Sequence, residues 1–228
     1  MVQPKLLIHL EQCGALLYQA AVLRPLRFIP PAQPVERARP PRGPEWLCEV
    51  KWDGYRSQLV KDGDRVLVYS RNGKEFTGRF PGAWEALRCL PAKSAIIDAE
   101  IVACREDGAP DFRALHSGNY SHETLCVWCF DLMELNGVDL TPLPLMARRM
   151  KLGTLLKRYD HGSLRYSEPF TEPDKLLAEC SSRGLEGIVS KRKDAPYRSG
   201  AKSGWIKVKC GAWKVANHDR GELFGQGR

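Results

Sequence analysis

The chain has 228 residues, 43% of them hydrophobic, and a formal net charge of +8. That suits one sizeable domain or two small ones and excludes a disordered chain. The most apolar stretch, 6–23, is broken by His9, Glu11, Gln12 and Gln19, so it is too short and polar to span a membrane and shows no signal-peptide cleavage pattern. Eight cysteines are scattered at 13, 48, 89, 104, 126, 129, 180 and 210. The one CxxC, Cys126 to Cys129, lacks a second pair at zinc-site spacing and lies in an apolar run, so both read as reduced core residues. Reduced thiols and no membrane segment give the expectation of a soluble, cytoplasmic protein.

In chain order, Leu6, Leu7, Leu10, Leu17 and Ala21 fit one face of a short amphipathic helix. Six prolines between 29 and 44 predict an extended strap, neither helix nor strand. Strands follow at 46–51, 55–61 and 66–70, the last two joined by a hairpin turn at Asp62-Gly63-Asp64. A helix is expected over 79–90, an apolar strand over 95–104, a short helix around 112–116 and a strand over 125–132. Pro144 opens a helix reaching Tyr159, and Pro173 opens another that ends at Arg183-Gly184 with the glycine as its cap. Strands at 187–191 and 205–209 flank a basic loop. Strand clusters alternating with isolated helices make this an α+β chain with antiparallel sheets flanked by helices.

The chemistry centres on Lys51, in Glu49-Val50-Lys51-Trp52-Asp53-Gly54-Tyr55-Arg56. A lysine can attack and form a covalent intermediate only when its amine is neutral, which calls for burial or nearby positive charge. The turn signal Asp53-Gly54 places Lys51 at a strand end, with Arg56 on the next strand. Lys207 and Lys209 alternate with Ile206 and Val208, so both ammoniums point to one face of a strand, as do the carboxylates of Asp98 and Glu100. Between 186 and 220 nine basic residues stand against three acidic ones, an excess of six out of the total eight. That is the footprint expected for phosphates, of a nucleotide or of a nucleic-acid backbone.

Six segments in this order resemble the motifs of the ATP-dependent DNA ligases. Lys51-Trp52-Asp53-Gly54-Tyr55-Arg56 resembles motif I, and Ser70-Arg71-Asn72-Gly73 the segment after it. Asp98-Ala99-Glu100 resembles motif III, 127–132 around Phe130-Asp131 motif IIIa, 185–191 motif IV, and Trp205-Ile206-Lys207-Val208-Lys209 motif V. The resemblance covers roughly 28–215 and is closest to the ligase domain of bacterial multifunctional end-joining enzymes. It implies an ATP-grasp-like nucleotidyltransferase domain over 28–215, with 1–27 an extension of open role and 216–228 a tail.

Function follows from the resemblance in the same way. It implies ATP as substrate, Mg2+ (or Mn2+) as metal, and nicked or broken duplex DNA as partner. Lys51 would take AMP from ATP, with Lys207 and Lys209 at the α-phosphate. Phe130 would stack on adenine, which Glu49 helps recognise, and Glu100 would touch ribose or the metal. Glu186 would help place the metal, Arg56 and Arg71 would contact ribose, phosphate or DNA ends, and Arg149, which resembles an arginine after motif IIIa, would bind the nucleotide. Lys191, Arg192, Arg198 and Lys202 are the candidate nucleic-acid contacts. The chain departs from the family in ending 19 residues after Lys209, where an OB-fold domain with motif VI normally follows. That domain is expected to be absent, leaving a monomeric minimal ligase, a subunit that needs an end-binding or OB-fold partner, or a remnant. An RNA ligase or capping-type nucleotidyltransferase and a catalytically inactive nucleic-acid-binding module remain as alternatives.

Overall fold

The computed structural model describes residues 27–121, 124–158 and 162–219. The amphipathic pattern over 6–21 and Tyr159 lie outside them. Two sheets form the frame. The larger has strands β3 (Tyr55–Asp62), β4 (Arg65–Ser70), β5 (Ser94–Ala103), β6 (Leu125–Leu135), β7 (Val138–Asp139) and β8 (Leu164–Tyr166), in the order β4-β3-β5-β6-β7 with β8 also paired to β6. The smaller, in the order β1-β10-β9-β2, joins β1 (Val35–Glu36), β10 (Ile206–Lys209), β9 (Gly187–Arg192) and β2 (Trp46–Lys51). Pairing is antiparallel except at β1–β10 and β6–β8. The helices are α1 (Pro81–Cys89), α2 (Phe112–Ser117), α3 (Leu145–Lys157), α4 (Pro173–Ser182) and α5 (Gly211–Ala216).

Three apolar clusters hold these layers. Leu59, Val68, Ile97, Ile101 and Leu132 of the larger sheet pack with Phe80 and Leu87 near α1 and with Leu152 of α3. Between the two sheets, Val60, Ile96, Phe130 and Met133 meet Trp205 and Tyr197, with Ile29 and Ala32 of the proline-rich strap. Behind the smaller sheet, Leu176 and Cys180 of α4 close over Cys48, Ile188 and Val208. One buried ion pair fixes α3 to β6: Arg148 Nε and Nη2 each donate to Asp131 at 2.8 Å. Removing one partner of such a pair costs about 3–5 kcal/mol, because the other is left charged and buried.

Several local signals act as expected. Gly63 takes φ +60° at the first central position of the two-residue β3–β4 turn, where type II′ geometry favours glycine. Pro173 opens α4, and Gly184 follows its end at φ +67°. Others are corrected. The helix expected from 79 starts at Pro81 after a 3-10 turn over Thr77–Arg79, because the residue before a proline is driven out of the helical region. Pro144 lies just before α3 with an extended ψ of 143° instead of inside it. The strap contains the short strand β1. The hairpin of β6 and β7 turns on Asn136 and Gly137, both at positive φ, an Asn-Gly pairing characteristic of type I′ turns. Cys129 is buried as expected, but Cys126 is half-buried beside Cys104 and Arg165; contact with the Cys104 thiol, assisted by Arg165, lowers the Cys126 thiol below its ordinary range.

Two glycines differ in the room around them. Gly187, where β9 begins, has φ +149°, and a Cβ there would lie 2.0 Å from the Val208 carbonyl oxygen. Gly187→Ala is therefore expected to cost about 3 kcal/mol through backbone strain and overpacking. Gly82 in α1 has room, its nearest Cβ neighbour being Leu125 Cδ2 at 3.9 Å, so Gly82→Ala is expected to add about 0.5 kcal/mol from lost unfolded-state freedom. Urea denaturation of the two variants checks both signs.

Candidate active site

Between the sheets opens a cleft of about 1060 Å³. Strand alternation decides which side chains enter it. Glu49 and Lys51 on β2, Val189 and Lys191 on β9, and Lys207 and Lys209 on β10 occupy every second position and all line the cleft. The register sets Val189 opposite both Glu49 and Lys207, so the three strands present their charges side by side.

Glu186, the residue before β9, organises one end. It is 5% exposed, and its carboxylate lies 2.7 Å from Lys51 Nζ through Oε2 and 3.0 Å from Lys209 Nζ through Oε1. Lys207 stands 3.9 Å from Glu36 on β1, and burial, with Lys51 and Lys209 nearby, lowers its ammonium from the usual range. Glu100, on β5, borders the same space. Burial pushes its carboxyl up to about 8 against the pull of Lys51 and Arg56, with Glu186 and Asp53 adding to the rise.

The other end is aromatic. Phe130 packs edge-on against Trp205 at 6.0 Å between ring centres. Arg56 lies 5.4 Å from the Phe130 ring and 5.2 Å from the Trp205 ring, and Lys191 Nζ lies 4.3 and 3.9 Å from the same two. Arg56 also grips Asp98 with two hydrogen bonds, of 3.0 and 2.7 Å. Burial works against the Arg56 charge, but Asp98 outweighs it and raises the guanidinium above its ordinary value. Tyr197 donates to the same Asp98 at 2.7 Å and accepts from the Ala32 amide at 3.0 Å. Glu49 is held from behind by Arg149 Nη1 at 2.7 Å and by Lys191 Nζ. Burial lowers the Lys191 ammonium although Glu49 supports its charge.

The structure thus brings Glu49, Lys51, Arg56, Glu100, Phe130, Glu186, Lys207 and Lys209 to one cleft, with Arg71 exposed among the residues that line it. Two expectations change. Arg149 does not line the cleft: its guanidinium is buried behind Glu49, stacked 4.9 Å from the Tyr166 ring and bonded to the Phe130 carbonyl at 2.8 Å. Lys191 is no surface contact for nucleic acid, being 1% exposed inside the cleft wall. Arg192, Arg198 and Lys202 are exposed and lie away from the cleft lining, Arg192 paired with Asp194. Sequence reasoning missed Trp52, Trp213 and Asn217, which also line the cleft. Trp52 adjoins Lys51 and stacks on Trp128 at 3.9 Å. Trp213 carries no periodic signal, since a strand end and an extended Cys210 separate it from Lys209.

As to metal, the carboxylates that line the cleft are Glu49, Asp53, Glu100 and Glu186, and no group of three or more acidic, histidine or cysteine side chains placed to hold a metal occurs among the described residues. Glu49 is taken by Arg149 and Lys191, and Glu100 and Glu186 are the pair expected at a metal. Such an oxygen-only pair suits a hard divalent cation that takes its other ligands from substrate and water. No helix among the described residues is long and apolar enough to cross a membrane.

Comparison with known proteins gives one answer. Residues 32–209 match the model of the ATP dependent DNA ligase domain. The chain is similar to the multifunctional non-homologous end joining protein LigD of Pseudomonas aeruginosa, 39% identical over 175 residues that make up 75% of this chain and 21% of that protein. It is 35% identical over 170 residues to a probable DNA ligase of Beutenbergia cavernae, covering 71% of this chain and 33% of that one. Among solved structures, mycobacterial DNA ligase D complexed with ATP and MES superposes with a TM-score of 0.67 at 28% identity, over 78% of this chain and 59% of that one. The ligase domain of M. tuberculosis LigD gives 0.67 at 27% identity, over 78% and 60%. The chain spans a fifth to a third of the length of these two curated relatives. By a match that takes in every strand from β1 to β10, it belongs to the ATP-dependent DNA ligase domain family.

Proposed function

We propose that this chain is an AMP-transferring enzyme that forms a covalent lysyl-AMP at Lys51 and passes the AMP to DNA ends. The observation that carries the reading is the Lys51–Glu186–Lys209 cluster, a candidate nucleophilic amine and a second ammonium on one buried carboxylate, in a cleft that Phe130 and Trp205 also line.

In the first step Lys51 Nζ attacks the α-phosphorus of ATP. A nitrogen–phosphorus bond forms, the bond to the bridging oxygen breaks, and pyrophosphate leaves. The amine must shed a proton, and Glu186 Oε2 at 2.7 Å is placed to accept it. Lys207 and Lys209 meet the charge of the phosphates, the part of phosphoryl transfer in which positioning and neutralisation matter most. Phe130 and Trp205 supply a stacking face for the base, Glu49 an acceptor for its amine, and Arg56 and Arg71 donors for sugar or phosphate. In the second step a DNA 5′-phosphate oxygen displaces Lys51 from the AMP. In the third a 3′-hydroxyl attacks the activated 5′-phosphate and AMP leaves.

Glu100 and Glu186 are the residues that would hold Mg2+ or Mn2+, which when bound supplies charge neutralisation on the phosphates. The exposed Arg192, Arg198 and Lys202 offer a weak track for the DNA backbone. A cytoplasmic monomer acting on nicked or broken duplex ends, together with a protein that grips DNA ends, completes the reading.

Incubation with α-labelled ATP and magnesium tests it. The wild-type chain is expected to retain label through denaturation and Lys51→Ala none; a folded wild type without label would sink the proposal. Glu100 supplies a second test, on stability without metal. Its raised carboxyl holds a proton more tightly folded than unfolded, so its contribution is fully present below about pH 4.5 and lost as pH rises through about 8. In EDTA the melting temperature of the wild type is expected to fall across that window relative to Glu100→Gln. Parallel curves for the two proteins would refute the assignment.

A further inference from the structure

We infer that Trp213, on α5 beyond the residues that match the ligase family, is a positioning residue that holds the Lys209 ammonium toward the phosphate end of the cleft. The inference rests on the adenylation reading and deepens it.

Lys209 Nζ lies 4.6 Å from the Trp213 ring centre and 3.0 Å from Glu186 Oε1. A lysine side chain has four rotatable bonds, and these two contacts fix where its end rests. They differ in kind. The carboxylate neutralises the ammonium, whereas an aromatic face attracts it and leaves its charge available to an incoming phosphate. When a triphosphate draws Lys209 from Glu186, the ring is the contact that persists.

The helix carrying Trp213 has no fully buried residue, and its Val215 is 75% exposed, so its only apolar seat is the partly buried Trp213 ring. Its polar attachments run to the edge that carries Glu186 and Lys207. The Cys210 amide, at its start, donates to the Glu186 carbonyl at 2.9 Å. Lys214 Nζ donates to Glu36 Oε1 at 2.8 Å, and Glu36 also faces Lys207 at 3.9 Å. Trp213 itself packs against the cluster of Cys48, Ile188, Val208 and Cys210 while lining the cleft. Both lysines of β10 are thereby tied to α5, Lys209 through the Trp213 ring and Lys207 through the shared Glu36.

The test is a double-mutant cycle on the full chain, read by single-turnover labelling with α-labelled ATP and by calorimetric ATP binding. Trp213→Leu is expected to slow labelling about three- to thirty-fold, the range of a cation–π contact. Trp213→Phe, which keeps a ring, should stay within about two-fold of wild type on the same ground. In a Lys209→Met background Trp213→Leu should have no further effect, which a merely structural role would not predict. Trp213→Met, closer in volume to leucine but more flexible, repeats the cycle should Trp213→Leu fail to fold by circular dichroism. Equal rates for Trp213→Leu and wild type, or the same loss with and without Lys209, would overturn the inference. Wild type that binds ATP without becoming labelled would defeat the covalent reading alone, and the cycle in binding would then decide the role of Trp213. Absence of ATP binding would overturn both.

Discussion

The contact on which the cleft depends is the buried carboxylate of Asp98. It accepts two bonds from Arg56 and one from Tyr197, which in turn is bonded to the Ala32 amide. Those partners come from the neighbouring strand, from the loop between β9 and β10, and from the proline-rich strap. One side chain on the larger sheet therefore fixes the distance to the smaller one. Isolating such a charge from water is costly unless every lone pair is used, which makes the arrangement all-or-none. A sheet-to-sheet gap set this way can stay open on its other side without the layers collapsing together.

The cleft wall uses the same device a second time. Glu49 is gripped by Arg149 and Lys191, all three nearly inaccessible, and Lys191 also faces Phe130 and Trp205. Two cations stand against one anion in this part of the wall; burial first, and then the neighbouring Arg149 charge, lower the Lys191 ammonium against the support of Glu49. Positive charge lodged under an aromatic slot polarises it toward electron-rich ligands. Arg149 thus shapes the site without entering it, by orienting the carboxylate that does.

How much of this is legible in the sequence depends on the range of the interaction. The strands carrying the motifs, the glycine turns at 63 and 184, and the shared face of Lys207 and Lys209 follow from local rules of period two and of backbone sterics. Lys191 obeys the same parity as Val189 and belongs inside by that rule; its place in a basic run hides the fact. Asn136-Gly137 is a strong hairpin signal, and the strand it launches is only two residues long. Arg149 is different in kind. Nothing within helical range of it tells that Glu49, a hundred residues away, meets its guanidinium, and a buried arginine is understandable only with that partner in place. The short helix α5, held by its ends and one ring, has no apolar periodicity to display.

Glu186 closes the physical account. Its two oxygens tie down Lys51 and Lys209, so the proposed nucleophile and the cation proposed for the phosphate share one anion. In the proposed reaction a triphosphate, which brings more negative charge than one carboxylate, would draw Lys209 toward itself, while Lys51 would pass its proton to the Glu186 oxygen it already touches before attacking. Binding and deprotonation in that proposed reaction would therefore act on the same 2.7 Å contact between Lys51 and Glu186.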